Sequence, residues 1–306
     1  MSLIKVTIDN IEVEVEPGMT ILNAARKIGG SVVPPAMCYY SKLEGSGGYC
    51  RTCLVKVAQG SSKDPRPMPK LVPSCRTIVQ DGMVVQNITS PEVMENRRAI
   101  TEFLLINHPL DCPVCDQAGE CSLQDLSYEH GLDETQTIEE RRTFDPIDIG
   151  DQIKLNMNRC ILCYRCVMVA DQITDHRVHG VLGRGDHSEI STHIRKAIDN
   201  DFSGNMIDVC PVGALTDKTF RFKSRVWFTK PFDAYRDCPK CSGKTAIWMK
   251  GEEILRVTGR KDKYGELEEF ICNDCRFNHK ELKDWIVEGP RMIERHSVIS
   301  QNHYEK

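Results

Sequence analysis

Fifteen cysteines dominate the chemistry that this 306-residue sequence could perform. The first residues alternate as in a strand and lack the long apolar stretch of a signal peptide, so we expect a reducing cytoplasmic setting in which thiols bind metals rather than form disulfides. The cysteines form three sets of four and one set of three, and a histidine precedes the short set. The candidate ligands are Cys38, Cys50, Cys53 and Cys75; His108, Cys112, Cys115 and Cys121; Cys160, Cys163, Cys166 and Cys210; and Cys238, Cys241, Cys272 and Cys275. With the imidazole included, every cysteine belongs to a group of four.

The first set follows a sequence typical of the start of a β-grasp domain. Leu3 to Ile8 and Ile11 to Val15 alternate apolar and polar residues around Asp9-Asn10, which predicts a hairpin. A short helix is predicted over Ile21 to Ile28, with Thr20 as its N-cap. A glycine-rich loop then leads into a C-x2-C pair, and glycines let backbone amides approach thiolates. The pattern predicts a [2Fe-2S] ferredoxin domain, with a structural zinc site as the alternative.

The second set is one thiol short. Cys112-Pro113-Val114-Cys115 is a tight metal-binding turn, and three cysteines alone leave a site incomplete. These two facts make His108 the candidate for the fourth ligand, and the alternative is a capped or surface histidine beside Pro109. An imidazole in place of a thiolate removes a negative charge and generally raises the reduction potential.

The third set has the spacing C-x2-C-x2-C followed by a remote Cys-Pro. This turn presents three thiolates to one face of a cubane, which predicts a [4Fe-4S] cluster. No second C-x2-C-x2-C exists, so we assign Cys210 to the same cluster. Arg159 and Arg165 flank the set and either raise its potential or face solvent.

The fourth set consists of two C-x2-C knuckles about thirty residues apart, each near strand-like sequence. Taken alone, this is a zinc-ribbon pattern. The three neighbouring sets favour iron and sulfur instead. A zinc ion and an iron-sulfur cluster therefore both remain possible at this site.

The fold class expected from these segments is α+β. Helical periodicity runs from Val93 to Leu105, a second helix is predicted over Leu123 to Glu129, and short strands cover Ala246 to Met249 and Ile254 to Val257. A stretch rich in Gly and His, residues 176–193, is predicted to be a loop. We expect four domains: a β-grasp [2Fe-2S] domain (1–90), a helical domain carrying the His and three Cys (91–142), a ferredoxin-like [4Fe-4S] domain (143–225) and a small β-rich four-cysteine module (226–306).

Composition excludes several function classes. The net charge of −4 argues against nucleic acid as the main partner. No apolar run approaches the roughly 18 residues of a membrane span. No G-x-G-x-x-G lies between a strand and a helix, so we expect neither a flavin nor a nicotinamide site.

The order of the four sets, with the middle motif His108-Pro109-Leu110-Asp111-Cys112 and the later Gly119-Glu120-Cys121, closely resembles the G-subunit family of bacterial NADH-quinone oxidoreductase, respiratory complex I. That family includes the mitochondrial 75 kDa subunit. The resemblance implies a [2Fe-2S] cluster on the first set, a [4Fe-4S] cluster with one imidazole and three thiolates on the second, and another [4Fe-4S] cluster on the third. It also implies that the fourth module resembles the N-terminal [4Fe-4S] domain of molybdopterin oxidoreductases.

Two departures from the family pattern affect that expectation. Some members carry a further cluster on C-x2-C-x3-C and a later Cys, but here Thr245 stands where the third Cys is expected and Cys275 is additional. The fourth site is therefore expected to hold a third [4Fe-4S] cluster or a zinc ion. Family members usually continue into a large molybdopterin-enzyme-like domain, whereas this chain stops at Lys306 and is expected to be a short form.

The function implied by the resemblance is electron transfer within an NADH:quinone oxidoreductase and translocase. The chain would carry electrons from a flavin-bearing, NADH-oxidising subunit to downstream iron-sulfur and quinone-module subunits, without a substrate site of its own. We expect a peripheral position on the cytoplasmic side of the bacterial inner membrane. The alternatives are an iron-sulfur diaphorase subunit of a soluble NAD-linked hydrogenase or formate dehydrogenase, and a structural protein with all four sets as zinc knuckles.

Overall fold

The structure is a computed structural model that describes residues 2–175, 177–192 and 197–291. The chain divides into two compact units. The first comprises Met1–Tyr39, Gly47–Ile106 and Leu126–Glu139, and the second comprises Tyr40–Ser46, Asn107–Asp125 and the described residues from Glu140 onward. The four-domain division drawn from sequence stays a prediction beside these two units.

A five-stranded mixed sheet forms the centre of the first unit. Its elements are β1 (Ile4–Ile8), β2 (Ile11–Val15), α1 (Ile21–Ile28), β3 (Leu54–Gln59), β4 (Val72–Pro73), β5 (Met83–Gln86) and α2 (Pro91–Leu105), and α3 (Ser122–His130) follows along the chain. The strand order is β2-β1-β5-β3-β4, with β1 and β5 parallel and the other pairs antiparallel. The N-terminal hairpin, α1 and the β-grasp character are thus as expected.

Local chemistry explains these elements. Asp9 and Asn10 both adopt positive φ, which the two-residue turn between β1 and β2 requires. The Thr20 hydroxyl accepts a hydrogen bond from the Asn23 amide and caps α1. Ser90 does the same for α2, with Pro91 in the first turn. Apolar residues of α1 and the sheet are fully buried together and form the core.

The second unit contains three small sheets. Its elements are β6 (Ile153–Leu155), α4 (Arg165–Gln172), β7 (His179–Leu182), β8 (Glu189–Thr192), α5 (Asn205–Val209), β9 (Leu215–Asp217), β10 (Lys230–Tyr235), β11 (Lys244–Lys250), β12 (Glu253–Gly259) and β13 (Ile286–Pro290). β6 pairs with β9, β7 pairs with β8, and the last four strands form an antiparallel sheet in the order β12-β11-β10-β13.

One element differs from expectation. The sequence predicts a loop over residues 176–193, but β7 and β8 form an antiparallel hairpin within it, in the register His179↔Thr192 to Leu182↔Glu189. The many Gly and His residues obscure any alternation of apolar and polar side chains, so local pattern does not reveal the pairing. His176 and His193 at the ends of this stretch lie outside the described residues.

Within the described residues, none of the helices has the length and apolar character needed to cross a membrane.

Candidate iron-sulfur and metal centres

The first set lies within the first unit, and all four thiols are buried. Cys38, Cys50 and Cys53 occupy the irregular segment between α1 and β3, and Cys75 lies two residues beyond β4. The thiols are arranged as two pairs. Cys38 and Cys50 are hydrogen-bonded to each other, and the sulfurs of Cys53 and Cys75 lie 3.4 Å apart. Two pairs of thiols fit a binuclear cluster, in which each of two irons takes two thiolates.

The glycine-rich loop brings backbone amides onto these sulfurs. The Gly48 amide donates to Cys75 Sγ at 3.2 Å, and the Tyr49 amide donates to Cys38 Sγ at 3.3 Å. Gly47 has φ +96°, and a Cβ there would lie 3.0 Å from Cys75 Sγ. A side chain at position 47 would therefore meet both backbone strain and the sulfur. Amide donors of this kind stabilise thiolate and cluster charge.

The second set surrounds the turn that connects α2 to α3. Cys112 is exposed, whereas Cys115 and Cys121 are buried. Cys121 precedes α3, and the first amides of the helix hydrogen-bond to its sulfur. Burial lowers the pKa of His108, which favours the neutral imidazole that acts as a metal ligand. In the chain as described, no three of these four side chains have ligand atoms within 4.8 Å of one another.

Arg159 is not a solvent-facing residue. Its side chain is buried, and Nε lies 3.0 Å from Asp111 Oδ2. The guanidinium also lowers the pKa of Cys115, although burial of that thiol outweighs it. A buried cation beside cluster ligands favours the more negative, reduced state of a cluster. Arg159 therefore acts on the second set, not only on the third set that it flanks in sequence.

The third set lines a cavity in the second unit. The walls are the four cysteines and mainly apolar side chains, namely Leu155, Cys160, Ile161, Cys163, Tyr164, Cys166, Ile190, Cys210, Val212, Ala214 and Leu215. Leu162 and Tyr164, which lie between the cysteines, have φ +53° and +62°, uncommon for residues with a Cβ. This backbone wraps the C-x2-C-x2-C turn around the cavity and directs the Leu162 amide to Cys160 Sγ at 3.3 Å. A cavity lined by four thiols and apolar groups suits a cubane cluster.

The second and third sets share a wall. The Ser122 amide, next to Cys121, donates to the carbonyl oxygen of Pro211, next to Cys210, at 3.0 Å. A Cβ at Gly213 would lie 2.2 Å from Cys115 Sγ. The Cys-Pro segment of the third set is thus in van der Waals contact with a ligand of the second.

The fourth set is the most compact. Cys238 and Cys241 lie between β10 and β11, and Cys272 and Cys275 lie between β12 and β13. Their four sulfurs all lie within 4.8 Å of one another. Thr245 is not among them: it is buried in β11, where it pairs with residues of β10 and β12. Cys275 therefore supplies the fourth thiol.

Sequence reasoning missed three residues that shape these sites. Gly213 allows the close approach to Cys115, and Asp111 fixes Arg159 beside the second set. Arg236 donates to a sulfur of the fourth set at 3.4 Å. The glycine two residues after Cys-Pro was a usable signal, since a glycine close to ligands often marks a backbone approach. The two charged contacts join segments distant in sequence and leave no local pattern.

Three known iron-sulfur domain families match successive regions of the chain. A 2Fe-2S iron-sulfur cluster binding domain matches residues 2–90, the NADH-ubiquinone oxidoreductase-G iron-sulfur binding region matches residues 97–136, and the ferredoxin-like domain of NADH-quinone oxidoreductase subunit 3 matches residues 150–216. Each matched region contains one complete predicted ligand set. The chain is homologous to the G subunit of NADH-quinone oxidoreductase.

The relatives cover nearly all of this chain. The NADH-quinone oxidoreductase G subunit of Rickettsia bellii is 36% identical over 97% of the chain and 42% of its own length. The NADH-ubiquinone oxidoreductase 75 kDa subunit of Reclinomonas americana is 39% identical over 94% of the chain and 40% of its own length. The chain thus spans about two fifths of the length of these curated relatives.

A solved structure shares the fold as well. A chain in the crystal structure of an NAD+-reducing [NiFe]-hydrogenase in the H2-reduced state matches with a TM-score of 0.62 and 27% identity, covering 73% of this chain and 91% of that chain. The fold of this chain therefore also occurs in a hydrogenase.

Proposed function

We propose that this chain is an iron-sulfur electron-transfer subunit of an NADH-quinone oxidoreductase, complex I. The observation that carries the proposal is the coincidence of three complete ligand sets with three matched iron-sulfur regions in one chain. The homologues, which are G subunits and 75 kDa subunits of that oxidoreductase, support the assignment to this complex.

The proposed ligands follow the first three sets. Cys38, Cys50, Cys53 and Cys75 would hold a [2Fe-2S] cluster; His108, Cys112, Cys115 and Cys121 would hold a [4Fe-4S] cluster; and Cys160, Cys163, Cys166 and Cys210 would hold another. Such clusters supply one-electron transfer without bond-making chemistry.

The chain's own residues would adjust each site. Amides of the 47–50 loop donate to sulfurs of the first set, and the first amides of α3 do so at Cys121. The apolar wall formed by Leu155, Ile190 and Leu215 would limit the contact of a cluster on the third set with water. The close approach of Gly213, in the segment after Cys210-Pro211, to Cys115 supports electron transfer between the second and third sites.

The proposed partners are a flavin-bearing, NADH-oxidising subunit that donates electrons and iron-sulfur or quinone-module subunits that accept them. The chain would then be a peripheral part of a membrane complex on the cytoplasmic side of the inner membrane. Quinone reduction and ion translocation would take place in other subunits of that complex.

Metal analysis and kinetics of the anaerobically purified chain test the electron-transfer role. We expect about ten irons with matching acid-labile sulfide from the first three sets, and EPR signals of one binuclear and two cubane clusters after dithionite reduction. The isolated chain should not oxidise NADH, because the proposal places the flavin in another subunit. Turnover of NADH by the pure, flavin-free chain, or iron without sulfide, would refute the proposal.

A diaphorase subunit of an NAD-linked hydrogenase is the second candidate, and the hydrogenase chain of similar fold favours it. Deletion of the gene in the source organism separates the two. Complex I membership predicts loss of NADH-dependent quinone reduction in the membrane fraction, whereas the hydrogenase role predicts loss of hydrogen-dependent NAD+ reduction in the soluble fraction.

A further inference from the structure

The four sulfurs of Cys238, Cys241, Cys272 and Cys275 have the spacing of ligands around a single ion. The distances Cys238–Cys272, Cys241–Cys272 and Cys241–Cys275 are each 3.7 Å between Sγ atoms. Four sulfurs bound at about 2.3 Å to one tetrahedral zinc ion lie about 3.8 Å from one another. The observed spacing leaves room for one metal ion at the centre.

The third set provides an internal comparison, because it combines four thiols with a cavity. Four irons and four sulfides must fit between the thiolates of a cubane, so its ligands lie farther apart than those of one ion. In the described part of the chain, the fourth set is the group in which at least three His, Cys, Asp or Glu ligand atoms all lie within 4.8 Å of one another. The cysteines of the third set do not meet that limit, and they line a cavity with apolar walls. The two sites therefore differ in the size of group that they accommodate.

Each sulfur of the fourth set accepts at least one N–H. The amides of Lys240 and Gly243, each two residues after a ligand, donate to Cys238 and Cys241 at 3.5 and 3.4 Å. The Cys275 amide donates to Cys272 at 3.5 Å, and Arg236 Nη1 donates to Cys275 at 3.4 Å. Four thiolates and one divalent cation leave a charge of −2, which these donors offset.

The knuckle around Gly243 depends on its backbone conformation. Gly243 has φ +71°, and a Cβ there would lie 1.8 Å from the carbonyl oxygen of Arg236. Only glycine permits this tight turn, which aims the amide at Cys241 Sγ.

The site also has the position of a structural link. Cys272 and Cys275 are fully buried in a cluster with Ala234, Ile247 and Trp285. The four thiols join the turn between β10 and β11 to the segment that leads into β13. All four positions are filled by protein ligands, as in closed structural zinc sites, and no position is open for a substrate.

We propose that Cys238, Cys241, Cys272 and Cys275 bind one zinc ion in a closed tetrahedral site that stabilises the C-terminal sheet and carries no electron. This goes beyond the proposed electron-transfer role, which requires the first three sets alone. The additional Cys275 takes the place that the family pattern gives to a Cys at position 245.

Metal content and X-ray absorption of the full chain test this site. We expect one zinc per chain after anaerobic purification from medium containing iron and zinc, with a zinc-edge spectrum fitted by four sulfurs at about 2.3 Å. Cys275→Ser should lose the zinc and keep the iron content and EPR signals of the other sets. Ser242→Ala, in the same knuckle but not a ligand, should keep the zinc.

Other results would overturn the zinc assignment. These are no zinc with about four additional irons and sulfides that Cys275→Ser removes, or no zinc with one additional iron and no sulfide. The wild-type absorption spectrum decides the question even if Cys275→Ser fails to fold. Zinc at this site in a chain without any iron would support the present inference and refute the electron-transfer proposal, so the two can fail separately.

Discussion

Single residues affect the geometry of the predicted ligand sets through contacts that cannot be read from their position in the sequence. Gly213 follows the Cys-Pro pair of the third set, yet its Cα faces a ligand of the second set. Any side chain at this position must displace either the sulfur or the shared wall. The residue therefore couples the geometry of two predicted clusters.

Gly213→Ala should disturb the second cluster, because the new Cβ would lie 2.2 Å from Cys115 Sγ. We expect a loss of up to about four irons and of one cubane EPR signal, while the [2Fe-2S] signal is retained. Gly180→Ala is the matched control, since a Cβ there meets nothing within 4 Å. An unchanged iron content and spectrum in Gly213→Ala would contradict this prediction, because it would show that the residues around position 213 can move enough to accommodate the added Cβ.

We expect the buried Lys280 side chain to lower the stability of the second unit at neutral pH. Its Nζ is buried without a hydrogen-bond partner among the described residues, and burial lowers its pKa from 10.5 to about 8. The unfolded chain binds more protons between pH 8 and 10.5, so the free energy of unfolding should rise with pH across that range. Lys280→Met should stabilise the protein by about 2 kcal/mol at pH 7 and flatten this rise, measured by urea unfolding. A less stable variant, or an unchanged pH profile, would contradict this account.

In the first unit, hydrogen bonds to a turn residue connect the turn between β1 and β2 to the segment after β5. The carboxylate of Asp9, in the turn between β1 and β2, accepts hydrogen bonds from the amides of Asn87, Ile88 and Thr89 beyond β5. The Thr89 hydroxyl donates to the same carboxylate at 2.6 Å. The turn thus fixes the segment that leads from the sheet into α2.

Asp9→Ala should destabilise the first unit by about 2–3 kcal/mol, because it removes the acceptor of three amides and puts Ala at φ +47°. Asn10→Gly keeps the same turn geometry and removes none of these bonds, so it should change stability by less than about 0.5 kcal/mol. Chemical denaturation followed by circular dichroism measures both. Equal effects of the two variants on the free energy of unfolding would mean that the hydrogen bonds of the Asp9 carboxylate do not contribute to stability.

At the scale of the molecule, a buried ion pair joins the third and fourth sets within the second unit. Asp208, two residues before Cys210, accepts from Arg276, the residue after Cys275, at 2.5 Å. Their side chains are 3% and 1% exposed, so neither charge is solvated by water. Arg276 also donates to the Val257 carbonyl, and Asp208 accepts from a β12 amide, so the pair holds β12 against both cysteine segments.

Removal of either charge alone should cost about 3–5 kcal/mol, since it leaves the other charge buried and unpaired. Removal of both, in Asp208→Leu with Arg276→Leu, should cost less than the sum of the single changes. A double-mutant cycle on the free energy of unfolding, with zinc and iron counted in each variant, measures this coupling. Additive costs would show that the two charges are stabilised independently.

Local patterns in the sequence were sufficient to predict several elements and to divide the candidate ligands into sets, whose metal binding stays a prediction. Alternation around Asp9-Asn10 predicted the first hairpin, helical periodicity predicted α2, and cysteine spacing divided fifteen thiols and one imidazole into four groups. These features depend on residues that are close to one another in the sequence, so the spacing of residue types indicates them directly. The two knuckles of the fourth set were likewise visible, but two metals remained possible for them.

Long-range packing determines how close the thiols approach and which distant groups meet them. The 3.7 Å spacing at the fourth site, the contact between Gly213 and Cys115 and the pairing of β7 with β8 all join segments through packing. Spacing along the chain limits which residues can meet, but distances between them depend on long-range contacts that no local pattern encodes. The choice between one ion and a cubane depends on those distances, because it is set by the space between the sulfurs.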